Sequence, residues 1–327
     1  MRAFGLMAAA MSVTGLVAAG PALAQSQQID KVTMVVFGPP SLGAFLPPVI
    51  KAKKFDEKNG INIEFVERPP DAYTVQFNTG EFQVGGSAAF LTVGLAAVRG
   101  VKVVYLFNVF DYWSYVVTSR PDIKKLKDIE GKELVAAKST SSYRIFTWFA
   151  KQQGVDMSTV SVLNTAPPGL MGYALADRAP AIHMWDPGFN LLRSKKPNIV
   201  SLDLQIDEIW KKYTGSNKIP YLGVAAHQEW IDKNPKLVPK LYNTYKAAAD
   251  WVLANPEEAS RIIADKGGEE GQKNVTALIR DNDRLRLGVS WAQDIQKELL
   301  YIYKVGQEVD LLPNDPGPST LYSGPKQ

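Results

Sequence analysis

The feature that most constrains this chain is the regular alternation of apolar strand-like runs with amphipathic helical runs. Residues 32–37, 61–66, 82–85 and 101–107 are short, apolar and in part β-branched. Helical periodicity fills the gaps between them. It runs from Ser41 through Leu46, Val49 and Ile50 to Lys54, and from Asp71 past Val75 to Gly80. A third run goes from Gly86 and Ser87 through Leu91, Leu95 and Val98 to Gly100. Strands and helices alternating at this spacing require right-handed crossovers and a parallel sheet. After Tyr115–Thr118 and a break at Arg120, Pro121 and Asp122, the pattern restarts, with strands expected at 134–137, 160–163 and 181–184 and a helix over 143–153. Residues 223–227 are again extended, and the last third is helical, with Val238, Leu241, Tyr245, Ala249 and Val252 on one face. The stretch from Pro313 onward is rich in Pro, Gly and Ser and is expected to wrap or fray.

The expected class is therefore α/β, with two α/β lobes joined by two strands and a cleft between them. Residues 25–115 and 223–327 form the first lobe and 116–222 the second, with the connecting strands at Tyr115–Thr118 and 223–227. The 327 residues suffice for two such units. Residues 1–24 are expected to be a secretory leader. Arg2 is its basic start, 8–19 are small and mostly apolar, and Ala22-Leu23-Ala24 is the cleavage pattern. This places the mature chain in the periplasm. The sequence has no cysteine, which excludes a lipid-modified N-terminal Cys, a disulfide framework, Cys-ligated zinc and a thiol nucleophile. With 37 basic and 33 acidic side chains the formal charge is +4, too small and dispersed for a nucleic-acid binder.

Three strand-to-helix junctions carry hydroxyls: Ser41, Ser87, and the group Ser139, Thr140, Ser141 and Ser142. In open parallel sheets ligands lie beyond the carboxyl ends of the strands, so all three can face one cleft. They can equally serve as plain helix caps. The last group precedes Tyr143 and Arg144. A capped helix start offers free N–H groups and a partial positive charge, and Arg144 adds a bidentate donor for a carboxylate or sulfonate. Aromatics gather near the same junctions, among them Phe37, Tyr73, Phe90, Tyr112, Trp113 and Trp185. Asp186 either contacts ligand or caps the next helix. The only histidines, His183 and His227, sit in apolar runs and read as core residues. There is no P-loop, no G-x-S-x-G, no H-E-x-x-H and no G-x-G-x-x-G, and no cofactor or metal is expected.

Six segments in order (53–66, 78–89, 99–106, 119–142, 183–192 and 233–259) resemble periplasmic solute-binding proteins of the nitrate/sulfonate/taurine type, which serve ABC importers. That resemblance implies a type II periplasmic binding-protein fold closing on one ligand. It maps ligand contacts onto Pro39, Ser41, Leu42, Gly86, Ser87, Ala88, the turn from Ser139 to Arg144, and Trp185 with Asp186; Trp113 is added from its place before the first crossover. The family's acidic-Ala dipeptide ahead of the Trp-containing motif is replaced here by Ala179-Pro180-Ala181. The aromatics near the expected cleft favour a small organic anion, a sulfonate or an aliphatic or aromatic carboxylate, over an inorganic one such as nitrate, and the implied partner is an inner-membrane ABC permease served by a monomer. A neutral pyrimidine-like ligand, as bound by a sister branch, and a receptor-presenting sensor subunit are the alternatives. The cysteine-dependent enzymes of that branch are excluded.

Overall fold

A computed structural model describes Met1 and residues 29–327 of the chain; all of the expected leader except Met1 lies outside the described residues. In chain order the strands are β1 (Asp30–Phe37), β2 (Ile61–Arg68), β3 (Val84–Ala89), β4 (Val103–Asp111), β5 (Tyr115–Thr118), β6 (Glu133–Ala136), β7 (Ser161–Asn164), β8 (Ala181–Met184), β9 (Val200–Leu202), β10 (Pro220–His227) and β11 (Leu287–Trp291). They form two sheets, one ordered β11-β4-β10-β3-β1-β2 and the other β7-β6-β8-β5-β9. β1 is parallel to β2 and β3, whereas β10 runs antiparallel between β3 and β4. In the second sheet β6 is parallel to β7 and β8, and β5 is antiparallel to β8 and β9.

Both faces of the first sheet are covered, which is why β1 and β4 read as continuous apolar runs rather than alternating ones. Val32, Met34 and Val36 pack with Val49, Ile50 and the helix Leu237–Ala254. Val35 and Tyr105 lie on the other side with the helices Phe90–Val98 and Gln296–Glu308. That second cluster does not stop at the lobe boundary. It runs through Tyr112 into Phe146, Trp148, Phe149 and Trp210, so one apolar core joins the two lobes.

The lobes exchange chain at two short segments, 112–114 and 215–219. They touch directly, since the Tyr112 N–H donates to the Ile219 carbonyl at 2.7 Å. This corrects the expected connections. Tyr115–Thr118 is an internal strand, paired through Val116 with both His183 and Leu202. Residues 223–227 lie within β10, where Gly223 faces Ala88 on one side and Asn108 on the other. Apolar runs with partners on both edges are sheet interior, and the true connections are shorter.

Two helix starts also differ from expectation. Gly86 and Ser87 lie inside β3, and the following helix begins at Phe90. The run Gly-Gly-Ser-Ala-Ala is small because its surroundings are crowded, not because it turns. A Cβ at Gly86 would lie 2.5 Å from Met34 Sδ and 2.7 Å from Tyr245 Oη. Ser41 caps only the 3-10 turn Leu42–Ala44, and the helix proper starts at Pro47, where prolines are tolerated. The C-terminal stretch wraps: Tyr322 N–H donates to the Tyr105 carbonyl at 2.9 Å, and Leu321 and Tyr322 are buried.

Candidate functional site

The turn after β6 carries four hydroxyls with three different roles. Ser139 is exposed. Thr140 is the cap of the helix Ser141–Gln152: its Oγ1 accepts the Tyr143 N–H at 3.3 Å and donates to the Ala137 carbonyl at 2.8 Å. Ser141 and Ser142 are buried against the crossovers. Tyr112 Oη donates to the Ser142 carbonyl at 3.2 Å, and the Tyr221 hydroxyl lies within reach of both seryl side chains. Burial pushes the Tyr221 phenol up to about 12. The N–H groups of Ser141 and Ser142 find no acceptor among the described residues. The loop is anchored from outside by the Lys138 N–H, which donates to Asn164 Oδ1 at 2.9 Å. Arg144 is half-buried and makes no ion pair or side-chain hydrogen bond among the described residues. A helix start with spare donors and an unpaired guanidinium in its first turn is a competent anion cradle.

Beside this turn stands the end of β8. His183 is fully buried, with ring centroids 4.7 Å from Phe146, 6.0 Å from Tyr143 and 6.0 Å from Trp185. Neither ring nitrogen has a partner, and burial lowers its pKa to about 3, so the imidazole is neutral. It is a core residue, as expected, but an unsatisfied one. Trp185 is half-buried. Asp186 is spent internally: its carboxylate accepts the Tyr115 hydroxyl and, at 3.1 Å, the Asn190 N–H at the start of the helix Gly188–Lys195. Burial pushes this carboxyl above its ordinary range. Of the two roles open to Asp186, the geometry displays the cap.

In the first lobe the structure brings the two expected segments together. Ser87 is fully buried, and its Oγ accepts the Phe37 N–H at 2.8 Å. A side chain at Gly43 would run into that hydroxyl. Ser41 Oγ accepts the Gly43 N–H at 3.2 Å, and Pro39 is exposed. Leu42 and Gly86 share a pocket of about 10 Å³ with Tyr245 and Leu222, while Ala88 lies under Tyr73 and Phe77. These hydroxyls therefore brace loop against strand. Contact between this group and the 139–144 turn is not among the hydrogen bonds of the described residues.

Trp113 goes elsewhere. Its indole lies under the Arg286 guanidinium, 4.6 Å from carbon to ring centroid, on one wall of a cavity of about 590 Å³ between the lobes. Asp207 and Lys211 of the helix Ile206–Thr214, Asn217 of the return crossover, and Arg284 complete much of its lining. Sequence reasoning missed this cavity. The signal was the charge cluster at 281–286, two acids (Asp281, Asp283) followed by two bases (Arg284, Arg286), directly ahead of the largely apolar run 287–291, which is β11. Among the described residues no group of three or more His, Cys, Asp or Glu is placed to hold a metal ion, and no helix is long and apolar enough to cross a membrane.

Comparison with known proteins follows the same lines. A family model described as NMT1/THI5 like matches residues 49–259. Proteins of Brucella abortus and Brucella suis, described only as candidate binding proteins, are each 24% identical over 231 residues, covering 68% of this chain and 67% of theirs. Among solved structures, the periplasmic aliphatic sulphonate binding protein SsuA from Escherichia coli superposes with a TM-score of 0.73 at 15% identity, over 92% of this chain and 94% of that one. The alkanesulfonate-binding protein SsuA from Xanthomonas axonopodis pv. citri, bound to MOPS, gives 0.69 at 14% identity, over 87% and 94%. A Candida albicans protein described as showing the generic periplasmic binding protein fold gives 0.63 at 14%, over 91% and 97%. At such identities the likeness establishes the fold, which is that of the periplasmic binding proteins.

Proposed function

This chain belongs to the NMT1/THI5-like family, and from that premise we propose that it is the periplasmic solute-binding protein of an ABC importer. It captures a small organic anion, a sulfonate or carboxylate, and delivers it to the permease without chemical change. The observation that carries this reading is the helix start at Ser141. Two N–H groups there lack acceptors, and Arg144 beside them lacks a counter-charge. An anion supplies both. Tyr143 and Trp185, with His183 beneath them, form an apolar wall for the ligand's body. The residues proposed to line the site are Pro39, Ser41 and Leu42 from one lobe and the 139–144 turn with Trp185 from the other. Rotation about 112–114 and 215–219 would close them on the ligand. A monomer suffices for this.

A second reading, a neutral pyrimidine-like ligand, is favoured by one observation: His183 is neutral and carries a free donor and a free acceptor next to three aromatic rings. A thermal-shift screen of the protein against nitrate, alkylsulfonates, aromatic carboxylates and pyrimidines separates the two. A ligand at 100 times its Kd adds about 2.7 kcal/mol. A shift with one organic anion, lost in Arg144→Ala, supports the anion cradle. A shift confined to neutral heterocycles, unchanged in Arg144→Ala, replaces it with the second reading.

A further inference from the structure

Tyr221 stands where the returning chain re-enters the first sheet, following the 215–219 crossover and Pro220. β10 runs beside β3, and β1, which leads into the Ser41 loop, lies next beyond β3. The floor of the cleft therefore passes this position. The backbone of Tyr221 is pinned, since its N–H donates to Oδ1 of the fully buried Asn108 at 3.0 Å. Its ring is pinned as well, edge-on to Tyr112 with centroids 5.7 Å apart, and Tyr112 in turn stacks on Phe149 at 5.8 Å. This rigid support delivers the phenol to the start of the second lobe's helix Ser141–Gln152, within reach of the Ser141 and Ser142 hydroxyls.

Three hydroxyls thus converge from two lobes, yet none of their oxygens closes a hydrogen bond of good geometry among the described residues. The bonds that Ser142 and Tyr221 do make run through their backbones, the Ser142 carbonyl accepting from Tyr112 Oη and the Tyr221 N–H donating to Asn108. Ser141 and Ser142 are only 6% and 2% exposed, a setting in which polar groups in native structures find a partner. Unlike the Trp113 and His183 nitrogens, the three oxygens are not sealed from solvent, and Tyr221 as a whole is half-buried. With the Ser142 carbonyl already taken, the cluster presents donors: three O–H groups and the two spare N–H groups of the helix start. No carboxylate bears on Tyr221, and burial pushes its phenol up to about 12, so it keeps its proton at neutral pH. Donors gathered in this way suit an acceptor oxygen that carries negative charge.

We propose that Tyr221 is a ligand-contacting, specificity-determining residue of this site, whose hydroxyl donates to the acid group of the anion held at Ser141 and Ser142. The inference rests on the anion reading above and adds to it a contact from the first lobe. Ser141 and Ser142 belong to the second lobe, whereas Tyr221 belongs to the first sheet. An anion accepting from both ties the lobes together at the floor of the cleft. A neutral ligand leaning on Tyr143 and Trp185 engages the second lobe alone. Tyr221 thereby favours ligands with an anionic head and couples their capture to closure.

Isothermal titration of the full mature chain tests the assignment with butanesulfonate, benzenesulfonate, butanoate and benzoate, each beside its neutral amide. At least one anion is expected to bind, and Tyr221→Phe is expected to weaken it about ten-fold, the loss of one hydrogen bond to a charged acceptor. Binding of the matching amide should change by less than about two-fold. The variant keeps the ring against Tyr112 and gives up no well-formed hydrogen bond, so its urea midpoint should match that of the parent. Arg144→Ala, measured in parallel, separates this inference from the reading beneath it. Loss in Arg144→Ala with full retention in Tyr221→Phe overturns the role of Tyr221 and leaves the anion cradle standing. A loss in Tyr221→Phe shared equally by anion and amide also overturns it, because it marks a general disturbance of the cleft. Retention in both variants, or an absence of anion binding across the series, overturns the inference and the anion reading together.

Discussion

Trp148 donates its indole N–H to Glu308 at 2.8 Å, so a fully buried residue of the second lobe is tied to the last helix of the first across 160 residues of sequence. The Tyr213 hydroxyl donates to the other oxygen of the same carboxylate, also at 2.8 Å. One side chain thus fastens two second-lobe helices to the first lobe. Glu308→Ala leaves the Trp148 N–H unmet and should cost about 1–3 kcal/mol. Urea unfolding measures this, and an unchanged midpoint would show that the contact carries no stability.

The phenols set the alkaline limit. Burial first, then the Glu308 carboxylate, pushes Tyr213 up to about 12, and burial holds Tyr221 at about 12. Both values lie above the ordinary 10.0 of an unfolded tyrosine. The folded state keeps these protons longer, so their contribution is complete below pH 10 and is lost as pH rises toward 12. Melting temperature should fall across that window. In Glu308→Gln the Tyr213 transition, followed by phenolate absorbance, should move downward.

His183 acts in the opposite direction. Its pKa drops from 6.5 to about 3 on folding, so the unfolded chain takes up a proton that the folded chain refuses. The stability it contributes is complete above pH 6.5 and declines toward pH 3, at up to about 1.4 kcal/mol per pH unit. Burial raises the carboxyls of Asp111 and Asp186, whose linkage has the contrary sign. Comparison with His183→Leu isolates the imidazole. The variant should lose less stability between pH 6.5 and 4 than the parent, and parallel curves would contradict the assignment.

Gly223 marks where the return strand is inserted. A Cβ there would meet the Phe107 carbonyl and the Tyr105 ring. Backbone cannot step aside as a flexible side chain can, so Gly223→Ala should cost about 3 kcal/mol or more. Gly100→Ala is the contrasting control. Its surroundings are open, and only its φ of +92° opposes the change. Chemical denaturation of the two variants should rank them in that order.

What the sequence disclosed followed from how local each signal was. Period and apolar content placed β1, β2, β6 and β8 and the Thr140-capped helix within a residue or two. Ser87 misled, because a small polar residue after two glycines looks the same whether it opens a helix or fills a tight strand. The deciding contact, with Phe37 fifty residues earlier, is not local. The setting of Trp113 was not legible for the same reason. Its partner Arg286 comes from the far end of the chain, and no periodicity announces a cation lying on a ring. The lobe boundaries shifted because connection and strand are written in the same β-branched and aromatic alphabet. Only pairing tells them apart.

The hydrogen bond between Tyr112 and Ile219 has a further consequence. Residues 112–219 depart from and rejoin the first sheet at a single doorway. Their removal would leave two ends within easy splicing distance, the condition under which whole insertions are gained or exchanged by recombination. Such an exchange is not free here. Phe149, Trp148 and Trp210 belong to a core shared with the first lobe. An incoming cassette would have to bring its own aromatic plug, or leave a hole where Glu308 now finds Trp148 and Tyr213.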